Sequence, residues 1–130
     1  MDAPALEDPL VLAFEAARVD PSTFRHREHL YVGYCYLRAL PLEEALARFM
    51  RHLRRLVDAL GVPEKLHATL TWGWLVLLDG AMQRAPSLEF SALLDENPGL
   101  LDRDALLVHY DRAQLDSTAA RRRFVLPERS

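Results

Sequence analysis

Histidines 26, 29 and 67 carry the spacing that chemistry needs. His26 and His29 stand one helical turn apart in FRHREHLYVGYCYLRAL (24–40), and His67 follows in KLHATLT (65–71). On a helix, His26, His29, Leu30, Gly33, Leu37 and Leu40 share one face, while Arg25, Arg27, Glu28 and Arg38 point elsewhere. Imidazoles on an apolar face are costly to bury unless something satisfies their nitrogens. A metal ion is one solution, because i, i+3 spacing lets two ligands share a cation. His67 lies on a face with Leu70, Thr71, Trp74, Leu78 and Ala81. Three neutral imidazoles fixed by helices, with a coordination position left open, would hold a divalent metal such as Zn²⁺ or Fe²⁺. Such a metal activates water or O₂, or polarises a small substrate. Glu64 or Asp20 could complete the shell, whereas Glu28 points away from the histidine face. Lys65, beside His67, could hold an anionic substrate, or be a solvated residue at a helix start. A metal-free acid–base site is a further reading of these residues. In a reading of another class, the histidines are structural and the chain is a non-catalytic binding or dimerisation module.

The elements that must position these residues are helical. Asp8-Pro9 starts a first helix that ends near Val19, and the histidine-bearing helix stops at Leu40, before Pro41. A third helix runs from about Leu42 to Leu60 and ends at Gly61. A fourth, from about Glu64 to Arg84, is apolar nearly all round and is therefore the central helix. Leu88 to Asp95 forms a short fifth, ended by Asn97-Pro98-Gly99. Beyond it, short helical pieces (Arg103 to Tyr110, and Thr118 to Arg123 capped by Ser117) lead to an extended tail, Phe124-Val125-Leu126-Pro127, that packs back on the body. The fold expected is all-α: one domain over 1–130, an up-and-down bundle of four to five main helices with an irregular C-terminal third. Short connections make helices two and four parallel, so that all three histidines begin at the same end of the bundle. Gly33, on the histidine face, leaves room for a ligand or another helix. Trp72 and Trp74 alternate in orientation, so one leaves the main core face and needs cover from the tail or from a second subunit.

At these residues the chain resembles a family of small bacterial all-helical proteins. F-R-H-R-E-H-L (24–30), L-E-E-A-L-A-R-F (42–49) and K-L-H-A-T-L-T (65–71) carry the resemblance, with a weaker echo in S-x-x-A-R-x-x-F-V-x-P (117–127). The family pattern is an H-x-x-H-L segment followed by K-Y-H-E-T, and the resemblance covers roughly residues 22 to 80. It implies that His26, His29, Lys65, His67 and Thr69 are the motif positions, with Lys65 and Thr69 as substrate contacts or supports of the site. Ala68 stands where the family often has Glu, which removes a carboxylate that such a site would use as base or ligand.

The totals bound the function. Half of the 130 residues are hydrophobic, and 16 basic against 19 acidic residues leave a net charge of −3. Bulk charge therefore gives no case for nucleic acid or an anionic membrane, and no apolar run approaches the length that spans a bilayer. The acidic opening MDAPALEDP lacks the basic region of a signal peptide. The single cysteine, Cys35, rules out an internal disulfide and suits a reducing cytoplasm. It falls opposite His26 on the helix and reads as a buried inert thiol. Tyr31, Tyr34 and Tyr36 read as packing, and His52 and His109 as surface residues. The expectation is a small cytoplasmic metal-dependent protein acting on a small molecule.

Overall fold

Asp8 starts the first α-helix as its sequence demands: its carboxylate accepts a hydrogen bond from the Leu10 amide at 2.8 Å, with Pro9 at the first helical position. The computed structural model describes residues 3–128, and the first two residues of the acidic opening lie outside them. Helix α1 (Pro9–Glu15) ends earlier than Val19 because Ala17 turns left-handed, at φ 56°. Helix α2 (His26–Ala39) begins where the Glu28 carboxylate reaches back to the Arg25 amide at 2.9 Å. Glu28 is thus a capping residue. Helix α3 (Leu42–Ala59) follows Pro41 and stops at Gly61, whose φ of 74° suits a residue without a Cβ.

Helix α4 (Ala68–Arg84) starts four residues later than the pattern suggested. Pro63–Lys65 forms a single 3₁₀ turn, and His67 stays extended (φ −139°, ψ 103°) as the N-cap. The C-terminal third continues with α5 (Phe90–Glu96), 3₁₀ turns at Pro98–Leu101 and Ala105–Val108, α6 (Arg112–Leu115) and α7 (Thr118–Arg122). Ser117 caps α7, accepting from the Ala120 amide at 3.1 Å. Among the described residues there is no strand, and no helix is long and apolar enough to cross a membrane. The fold is all-α, a helical bundle with an irregular C-terminal region.

Phe14, Phe24, Tyr36 and Phe49 form an aromatic cluster between α1, α2 and α3, with the Phe14–Phe49 ring centroids 5.0 Å apart. Beside it, Glu15 receives Tyr36 Oη–H and both Arg48 Nε–H (2.6 Å) and Nη2–H (2.9 Å). His52 joins this group, its Nε2 at 3.7 Å from Glu15. The residue is buried, contrary to the surface position expected for it, because the α3 stripe is wide enough to include it. Three tail-side residues, Leu106, Tyr110 and Leu115, make a second small core against Leu70 and Trp74.

Gly33 makes room for a helix. A Cβ there would sit 2.4 Å from Leu75 Cδ2 and 3.4 Å from Leu78 Cδ2, so α2 and α4 meet backbone to side chain at this notch. Gly80, by contrast, would place its Cβ only against the flexible end of Arg84, at 3.4 Å. Gly33→Ala should therefore destabilise through overpacking, which costs about 1–3 kcal/mol against a helix-propensity gain of about 1 kcal/mol. Gly80→Ala should stabilise by up to about 1 kcal/mol. Thermal melts of both, and of Gly33→Ala combined with Leu75→Ala, check this. The double variant should lose less than the sum of its parts, and equal behaviour of the two glycines would refute the notch.

Candidate functional site

His67 uses both of its ring nitrogens on the protein's own backbone. Nδ1 accepts from the Leu70 amide at 3.1 Å, and Nε2 lies 2.7 Å from the Leu115 carbonyl. An amide can only donate and a carbonyl can only accept, so the ring is the neutral Nε2–H tautomer. A neutral imidazole has one lone pair for a metal, and here Leu70 takes it. His67 is buried, and burial holds its pKa below the ordinary value, with the Arg121 charge working in the same direction and the Leu115 bond and Asp116 against it.

The other two histidines do not meet it. His26 Nε2–H donates to the Leu100 carbonyl at 2.9 Å, and the ring stands edge-on to Trp74 at 4.4 Å. Trp74 lies seven residues beyond His67, about 10 Å along α4 at 1.5 Å per residue. His29 packs on Phe24 (4.4 Å between centroids) and near Phe49 (6.2 Å). Its ring thus faces the aromatic cluster while His26 faces α4. A carbonyl-oriented Nε2–H is how metal-binding histidines are commonly held, which leaves the Nδ1 lone pair of His26 the best placed of the three. Among the described residues, however, no group of three or more His, Cys, Asp or Glu side chains is arranged to hold a metal ion. Glu64 and Asp20 are exposed, and the Asp20 carboxylate is occupied by the amide and hydroxyl of Ser22.

Thr69 is fully buried, and its hydroxyl is a clasp for the tail: it donates to the Arg123 carbonyl at 3.0 Å and accepts from the Val125 amide at 3.2 Å. Tyr110 Oη–H adds a bond to the Val125 carbonyl at 2.6 Å, and Phe124 stacks on Trp72 with centroids 5.2 Å apart. The tail therefore covers Trp72. Tyr31 and Tyr36 hydrogen-bond to Asp8 and Glu15, and Tyr34 to the Leu88 carbonyl. Cys35 is buried, which pushes its thiol up to about 11, far from thiolate formation at neutral pH.

Lys65 occupies a different kind of place. It lines a half-open groove of about 460 Å³ under the start of α4, together with His67, Leu70, Leu106, Leu107 and Leu115. Arg103, Asp104, Arg112, Asp116 and Arg121 complete the rim. The arginines come from a turn (Arg103) and from two short helices, α6 (Arg112) and α7 (Arg121), with no helical period linking them. Arg103, Arg112 and Arg121 do recur every nine residues, the one signal in the sequence that could have revealed them.

No family model, curated protein or solved structure matches the chain.

Two outcomes follow from this geometry. Burial holds His29 at a pKa of about 4, and the neighbouring His26 pushes in the same direction. The unfolded ring titrates near 6.5, so protonation favours the unfolded state. Stability from this residue is complete above pH ~6.5 and is lost as pH falls toward about 4, by up to about 3 kcal/mol. Melting temperature should fall from pH 7 to pH 5, and His29→Phe should flatten that fall; an unchanged slope would sink the assignment. Thr69→Val should cost about 1–3 kcal/mol by stripping two buried hydrogen bonds. It should also release the tail from Trp72, read as a red shift in tryptophan emission.

Proposed function

We propose that the chain is a metal-free helical binding module for a small molecule, with the groove under the start of α4 as its site and the histidines as structural side chains. The observation that carries this reading is the double engagement of His67, at the inner wall of the groove. A side chain that caps a 17-residue helix with one nitrogen and ties down Leu115 with the other is a fastener. Its spacing to His26 then reflects where α2 and α4 are anchored, and His29 is a packing residue against Phe24 and Phe49. The groove's volume falls within the range usual for small-molecule sites. Lys65 contacts the ligand in this reading, while Thr69 supports the site by holding the tail. A reducing cytoplasm suits the unpaired Cys35.

The three-histidine metal enzyme is the alternative, and it requires His67 to release Leu70. Elemental analysis of protein purified without a histidine tag, before and after incubation with Zn²⁺ or anaerobic Fe²⁺, separates the two. The binding-module reading expects no stoichiometric metal and no metal-dependent rise in melting temperature. It also expects His67→Ala to lose about 2 kcal/mol, from a cap worth about 0.5–2 and an unpaired Leu115 carbonyl. Near-stoichiometric metal that vanishes in a His67→Ala protein of unchanged stability would overturn it.

A further inference from the structure

We infer that the groove under α4 takes a phosphate monoester whose ester group is apolar, a dianionic head on a small hydrocarbon or aryl body. This rests on the groove being the ligand site and adds the chemistry of the ligand.

Charge is the first ground. Four cations, Lys65, Arg103, Arg112 and Arg121, line the groove against two carboxylates, Asp104 and Asp116. The local surplus is thus two positive charges in a chain whose net charge is −3. These cations are gathered against the trend of the molecule. Arg112 lies 3.8 Å from Asp104, an exposed pair of little energetic weight. Lys65, Arg103 and Arg121 have no ion-pair partner within 4.0 Å among the described residues.

The kind of cation is the second ground. Three of the four are arginines, whose planar forks donate two parallel hydrogen bonds to a phosphate or carboxylate. A surplus of two is matched by a phosphate monoester near neutral pH and only half matched by a carboxylate. The walls supply the third ground: the half-buried Leu70 and Leu107, backed by the buried Leu106 and Leu115, give the groove an apolar side that free phosphate would leave unused. His67 cannot add a donor, because its Nε2–H is spent on Leu115. The head must therefore be held by the exposed rim cations, and binding should weaken steeply with salt.

Phenyl phosphate is the probe, titrated calorimetrically into the full chain at low and high salt, with inorganic phosphate, benzenesulfonate and phenol as comparators. Phenyl phosphate should bind more tightly than all three and raise the melting temperature. Lys65→Ala and Arg121→Ala should each weaken it about tenfold, the effect of losing one charge-assisted hydrogen bond. Both side chains are exposed, so these variants should melt with the wild type and a loss of binding would not report misfolding. Absence of phenyl phosphate binding, or binding indifferent to both substitutions, would overturn the inference. Phenol binding as tightly as phenyl phosphate, with shifts at the Leu70, Leu106 and Leu115 methyls, would overturn the anionic class while leaving the groove as the ligand site. Stoichiometric metal lost in His67→Ala would remove the module reading itself.

Discussion

The two bonds of His67 are the constraint on which the arrangement of this molecule depends. One sets where α4 begins; the other fixes Leu115, 48 residues away, against that beginning. Thr69, two residues on, repeats the device by holding Arg123 and Val125. His67 works because the first turn of a helix leaves amides without partners, and both residues work because backbone groups drawn against the body need a partner in place of water. A helix start thereby becomes the anchorage for a segment too short in its elements to bury a core of its own. Leu106, Tyr110 and Leu115 are a small cluster, and they gain their cover from Leu70 and Trp74 of α4.

The same economy appears at His26, which ties the first turn of α2 to the Leu100 carbonyl. His29 differs. It is an aromatic packing residue that happens to titrate, held between Phe24 and Phe49 and kept neutral by burial. The Glu15–Arg48–Tyr36 group shows how the bundle treats a charge it must enclose: the carboxylate is surrounded by donors on both oxygens. Its neighbour His52 keeps Nδ1 buried with no hydrogen-bond partner among the described residues, so this corner accommodates a neutral imidazole.

What could be read from the sequence, and what could not, follows the physics of each region. Helices α2 and α3 were legible because their apolar period is sustained and their ends are marked by Pro41 and Gly61. The start of α4 was not. His67 continues the apolar face of the helix in projection, but a side chain that bonds its own helix's third amide must sit outside the helix, which a wheel cannot represent. What separates His67 from His26 is the crossing of the helices, which sets His26 against Trp74, seven residues further along α4. The C-terminal third was legible in its caps, as Ser117 shows, and in its returning tail, but not in its one-turn elements. Arg112–Leu115 is four residues long, below any period that sequence can display. The groove was hidden for the same reason, since its cations reach it from short pieces, and the nine-residue recurrence of three of them matches no helix or strand period.

The hydrogen bonds that join the C-terminal third to α4 span 48 to 56 residues of chain, and the groove has walls on both sides of that seam. Its shape exists only while the seam is closed. Occupancy and closure are then linked equilibria. A molecule seated between Lys65 on one side and Arg121 on the other would favour the closed form by its differential affinity. Its apparent affinity would in turn be scaled by the fraction of chains already closed. The fastening bonds, one of them between the groove-lining His67 and Leu115, and the rim cations are therefore thermodynamically coupled.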